Sequence, residues 1–135
     1  MVRVLMADDD PMVCIAIKVC LQRRGFDVTI ADGGGACLNA LETSTFDLML
    51  VNILMPPLFG FESILAVCQR APSVPLIAMF GCAFSHLETP SPEFLRMMLE
   101  LGATCCLRKP FTPNALLAAV DRCLGEPATT AQLSR

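Results

Sequence analysis

Apolar residues along the chain keep two rhythms, short unbroken runs and longer stretches with a period near 3.6, and their alternation predicts strands followed by helices. Val2 to Ala7 is a short apolar run closed by three aspartates and Pro11, the pattern of a buried strand ending in a charged loop. Asp10 is placed to cap a helix that has Pro11 at its first position and runs through IAIKVCLQRR to Gly25. FDVTIA then reads as a strand, Gly33 to Gly35 as a turn, ACLNALE as a helix and FDLMLVN as a strand. A PPLFG loop leads into the helix FESILAVCQR, and VPLIAMF is the next strand. After a long GCAFSHLETPSP connection come EFLRMMLEL (helix), ATCCLR (strand) and TPNALLAAVDRCL (helix). Five strand–helix pairs predict an α/β fold, a doubly wound, mostly parallel sheet covered on both faces. The pattern fills residues 1–124 as one domain, and 125–135, GEPATTAQLSR, lacks periodicity and is expected to be a flexible tail.

Helix faces carry more apolar surface than one sheet face needs. In the first helix Val13, Ala16, Ile17, Cys20 and Leu21 share a face expected to cover the sheet, while Met12, Ile15 and Val19 form a second stripe. In the helix before the last strand, Phe94, Met97, Met98 and Leu101 suffice for the core, and Leu95 and Leu99 extend the apolar face. Such surplus suits an interface.

Composition narrows the class. A chain of 135 residues has no room for two catalytic domains. Net charge −3 offers no basic field for phosphodiester backbones, so no nucleic-acid partner is expected of this chain alone. Mean hydropathy of +0.58 would suit a membrane protein. The longest stretch without formal charge, Ala71 to Leu87, holds Pro72, Pro75 and Gly81 and cannot be a spanning helix, so no membrane partner is expected. The opening MVRVLMADDD does not read as a secretory signal, and the expectation is a cytoplasmic protein. Eight cysteines, at 14, 20, 37, 68, 82, 105, 106 and 123, form no C-x-x-C pair and share the chain with one histidine, His86, so zinc is poorly supported. Most sit in apolar runs, where a reduced thiol behaves as a small buried hydrophobe.

In an open parallel sheet, ligands collect beyond the carboxyl ends of the strands. Those ends carry Asp8, Asp9 and Asp10, then Asn52, then Phe80 with Gly81, then Lys109 before Pro110. Acidic groups, an amide and a lysine from distant parts of the chain would converge there.

With LMADDDP after the first strand, LMLVNILMPPLFGFE around the third, PLIAMFG at the fourth and GATCCLRKPF across the fifth, residues 1–124 resemble a response-regulator receiver domain of two-component signalling. The resemblance implies a flavodoxin-like (βα)5 fold with strand order 2-1-3-4-5. It also implies an acidic pocket of Asp8 and Asp9, with Mg²⁺ held by Asp9, residue 52 and the carbonyl of Leu54. Asp8 would assist through water and Lys109 would contact a phosphoryl group. Three positions depart from the family. Asn52 stands at the phosphoacceptor aspartate, and a carboxamide is no nucleophile for an acyl phosphate. Phe80 replaces the switch hydroxyl, and Cys106 replaces the switch aromatic. The family pocket carries about −2, whereas Asp8, Asp9 and Lys109 leave about −1, so Mg²⁺ is expected to bind weakly or not at all and Lys109 to pair with Asp8 or Asp9.

The expected function is a degenerate receiver, not an enzyme, acting by protein contact in a phosphorelay pathway. Its partner would be a histidine kinase, another signalling protein or a second copy of the chain, and no cofactor is expected. Two rivals fit less well. A flavodoxin-like ligand-binding module would place open backbone donors, not three carboxylates, after the first strand, and the chain has no Trp or Tyr to stack on a flavin. An aspartate-dependent phosphohydrolase could use Asp8 and Asp10, but the chain lacks room for a cap.

Overall fold

The computed structural model describes residues 1–81 and 91–125. The strand β1 (Arg3–Ala7) is followed by α1 (Pro11–Gln22), β2 (Asp27–Ala31), α2 (Gly34–Thr43) and β3 (Leu48–Asn52). A small hairpin, β4 (Leu54–Met55) and β5 (Leu58–Phe59), precedes α3 (Phe61–Arg70). The chain continues through β6 (Leu76–Phe80), α4 (Pro92–Glu100), β7 (Cys105–Arg108) and α5 (Pro113–Leu124). The five longer strands form one sheet of order β2-β1-β3-β6-β7 with every pairing parallel, which is the expected 2-1-3-4-5 winding.

Alternate residues of the central strands feed two cores. Leu5, Met49, Val51, Leu76 and Ala78 pack toward Ile64, Val67 and Met98 of α3 and α4. Val4, Met6, Leu50, Ile77 and Met79 pack toward Ile17 and Leu21 of α1 and Leu116 and Val120 of α5. Both sheet faces are therefore dry, as the unbroken apolar runs of the strands require.

Three helices begin with the same local chemistry, a capping side chain followed by proline. Asp10 Oδ1 accepts from the Met12 N–H at 2.9 Å, Ser91 Oγ from Phe94 at 3.1 Å and Thr112 Oγ1 from Ala115 at 3.0 Å. Each cap satisfies an N–H that the helix itself leaves without a partner, and the proline has no N–H to satisfy.

Four details differ from the pattern-based expectation. Gly34 and Gly35 lie inside α2, and only Gly33 precedes it as the cap. A Cβ on Gly34 would stand 3.1 Å from the Pro56 carbonyl oxygen and 3.3 Å from that of Met55, so glycine there permits α2 to approach the hairpin. The PPLFG stretch is part of that hairpin, with Leu54 opposite Phe59 and Met55 opposite Leu58. In α1 Cys14 joins Ile17 and Leu21 as the buried seam, with Val13 and Cys20 half-buried against the same core, while Ala16 is exposed and lines a cavity of about 450 Å³ beside Pro110 and Phe111. In α4 the exposures of Met97 and Leu95 are exchanged, since Met97 faces outward and Leu95 packs on the core. Most of the long connection after Gly81 and all but the first residue of the expected tail lie outside the described residues. Among the described residues no helix is long and apolar enough to cross a membrane.

Candidate functional site

Parallel registration brings four chain-distant residues to one end of the sheet. Asp8 directly follows β1, Asn52 is the last residue of β3, Phe80 the last of β6, and Lys109 directly follows β7. Ladder hydrogen bonds run past the strand ends, with Asp8 N–H donating to Ala31 at 3.1 Å and Lys109 N–H to Phe80 at 2.7 Å. The backbone is thus fixed at the very residues that carry the polar groups.

Asp8 is the centre of this cluster, its side chain wholly buried. Its Oδ2 accepts from Lys109 Nζ at 2.7 Å. Its Oδ1 accepts from the Asp10 N–H at 2.9 Å and from Asn52 Nδ2 at 3.4 Å. Lys109 keeps 19% of its side chain exposed, so the pair sits at the edge of the dry interior, where an unpaired carboxylate would be costly. Among the described residues no buried side-chain nitrogen or oxygen lacks a hydrogen-bond partner.

Asn52 uses both ends of its amide. Its nitrogen donates to Asp8, and its oxygen accepts from the Leu54 N–H at 3.4 Å. An aspartate in this place has only acceptors to offer and would set a second negative oxygen against the first. The buried set of Asp8, Asn52 and Lys109 is electrically neutral as it stands.

Magnesium does not fit this donor set well. Mg²⁺ wants near-octahedral oxygen ligands. Three donors already hold Asp8, the Lys109 ammonium among them, the Asn52 oxygen is turned to Leu54, and the carboxylate not engaged inside the pocket is Asp9, which is exposed. Among the described residues no group of three His, Cys, Asp or Glu side chains is arranged to hold a metal ion.

Beside the polar cluster lies an apolar one that sequence reasoning missed. Phe80 is buried and meets the Phe94 ring edge-on, with centroids 5.9 Å apart and planes at 78°. Phe94 in turn faces Phe61, with centroids at 5.3 Å. Three rings from β6, α4 and the start of α3 therefore pack together at the end of β6, the strand beside β3. The available signal was a phenylalanine at one strand end and at the first turns of two helices. Cys106 lies half-buried on the face of β7 toward this cluster, and burial pushes its thiol up to about 11.

The family model of the response regulator receiver domain matches residues 4–121. The alkaline phosphatase synthesis transcriptional regulatory protein PhoP of Bacillus subtilis is 29% identical over 90% of this chain and 48% of its own length. The transcriptional regulatory protein CpxR homolog of Haemophilus influenzae is 31% identical over 96% of this chain and 53% of its own. A CheY-like response regulator receiver domain protein from Methanospirillum hungatei superposes with a TM-score of 0.80 at 28% identity, covering 93% of this chain and 95% of that one. This chain spans about half the length of the two curated relatives.

Proposed function

This chain belongs to the response regulator receiver domain family of two-component systems, and we propose from that premise that it is a receiver whose pocket takes up no phosphoryl group and that signals through protein contact. Receiver domains are signalling modules rather than enzymes as a rule, and the proposal assigns no catalytic residue here. The observation that carries the reading is the Asn52 carboxamide donating to Asp8, which fills the phosphoacceptor position with a non-nucleophilic hydrogen-bond bridge. Asp8 is no substitute acceptor, because Lys109, the Asp10 N–H and Asn52 already engage its oxygens. Phe80 has no hydroxyl with which to follow a phosphoryl oxygen, and Cys106 is too small to serve as a rotating aromatic.

The proposed docking surface is the stripe Met12, Ile15 and Val19 on α1, exposed by 72%, 56% and 44%. Its proposed occupant is a histidine-kinase-bearing or other signalling protein, with a second copy of the chain as the competing arrangement. No role for nucleic acid is proposed for these 135 residues, whose net charge is −3.

The deciding experiment incubates the chain with a small acyl phosphate and Mg²⁺ and reads intact mass, beside the Asn52→Asp variant. The expected result is an unmodified wild-type chain. Labelling of the variant alone locates the loss at the acceptor, and labelling of neither extends it to Phe80 and the metal site. A stable phosphoryl adduct on the wild-type chain overturns the reading.

A further inference from the structure

Cys105 opens β7 at the edge of the sheet, and Cys123 sits in the last turn of α5, which packs back over that strand. Their Sγ atoms are 3.7 Å apart, and both thiols are free. The seventeen residues between them include the turn that carries Lys109, and the strand and helix meet again through this contact and the apolar packing around it. Leu116, Ala119 and Val120 of α5 hold the helix against the same face of the sheet as Cys105.

We propose that Cys105 and Cys123 are a modification site, a dithiol that hydrogen peroxide closes to a reversible disulfide between the edge strand and the last helix. The choice of oxidant follows from access. Cys105 is only 7% exposed and Cys123 half-buried, so the reagent must be little larger than water, and a bulky disulfide donor is excluded from the attacking sulfur. The thiol hydrogen bond from Cys123 holds Cys105 below the ordinary thiol range, with Arg122 adding to the effect against the opposing cost of burial. The same bond, with burial, pushes Cys123 up. Cys105 is then the nucleophile and Cys123 the resolving thiol. Burial holds Cys37, Cys68 and Cys14 above the usual thiol value, which disfavours reaction there.

The chemistry balances in two steps. The Cys105 thiolate attacks one peroxide oxygen, the O–O bond breaks, and the departing hydroxide takes a proton to leave as water, giving a sulfenic acid. Cys123 sulfur then attacks the Cys105 sulfur as its own proton goes to the leaving hydroxide, forming the S–S bond and a second water. Peroxide is reduced, and two thiols are oxidised by two electrons in all.

The test treats the full, reduced chain with a few equivalents of hydrogen peroxide. The expected product has lost two hydrogens, shows a Cys105–Cys123 link in a non-reducing digest, and returns to its original mass with dithiothreitol. Cys106→Ser keeps the link, which separates the neighbouring thiols, and Cys105→Ser loses it completely. Cys123→Ser, whose hydroxyl can still donate to Cys105, stops at a sulfenic acid on Cys105 that dimedone traps once the treated chain is unfolded in denaturant, and Cys123→Ala, which lacks that donor, reacts more slowly. A dominant link to any other cysteine, over-oxidation of Cys105 without a link, loss of the link in Cys106→Ser, or absence of trapped sulfenic acid at Cys105 in Cys123→Ser overturns the proposal.

Discussion

Asp8, Asn52 and Lys109 on one side of the strand ends, and Phe61, Phe80 and Phe94 on the other, occupy the same pole of the sheet and are held by opposite physics. The first set is polar and buried, with each side chain hydrogen-bonded to another member and no net charge. The second set is apolar and packs ring on ring and against the surrounding core. Directed hydrogen bonds connect the members of the first set to one another, so removal of one strands another. The rings lose area and contacts when one is removed, yet leave no charge behind. In a receiver these two sides would be linked by a phosphoryl group moving a hydroxyl and an aromatic ring. On the proposed reading Asn52 and Phe80 separate them, and each side should be stable without the other's participation.

Lys109→Met should break the polar side most severely, costing about 4 kcal/mol because the Asp8 carboxylate is left buried without its partner. Urea unfolding of Lys109→Met, Asp8→Asn and the double variant measures the coupling, and the double variant should recover much of the loss. Phe80→Ala should cost about 3 kcal/mol, the usual penalty of emptying an aromatic site in a core that cannot fully collapse. Its loss should add independently to that of Lys109→Met, and strong coupling between the two would show that the halves are one unit. Asn52→Asp should cost about 2 kcal/mol, a fraction of the roughly 4 kcal/mol between two unscreened charges at this range, because Lys109 offsets part of it. Millimolar Mg²⁺ should restore that stability and leave the wild-type chain unchanged. A wild-type response to the metal would mean that Asp9 and the Leu54 carbonyl suffice as ligands.

The two sides also differ in how far the sequence revealed them. Asp8, Asn52 and Lys109 were legible because each terminates an apolar strand, and a parallel sheet must bring strand ends together. Which aspartate Lys109 chooses was open, since adjacent residues at a strand end point in different directions and only the folded turn decides. The aromatic cluster was not legible as a unit, because Phe61 and Phe94 lie on helices whose rotation about their axes the pattern fixes only loosely. The same looseness misplaced Ala16 and Met97, which are exposed, where a shift of one residue turns a helical position by a third of a turn. Gly34 was read as a turn because its reason, the close approach of the hairpin backbone, comes from a segment twenty residues away. The Asp10 cap was legible, since it acts on a residue two positions ahead, whereas Ser91 and Thr112, which act three positions ahead, were read as loop and helix.

Met12→Ser with Ile15→Ser should have the smallest effect on stability, within about 0.5 kcal/mol of wild type, because both side chains already face water and leave no cavity. The polar and aromatic sides should keep their stabilities unchanged in this background, as judged by repeating Lys109→Met and Phe80→Ala in it. Any self-association seen by sedimentation at high concentration should disappear with the two serines and persist in Phe80→Ala. That outcome places recognition on the outer face of α1, beside the pole but independent of both sets of residues within it. A wild-type chain that sediments as a monomer at every concentration removes the second copy as occupant of the stripe and leaves a different protein as its partner. Loss of self-association in Phe80→Ala instead would move the contact to the α4 side, where Met97 and Leu99 are the exposed apolar residues.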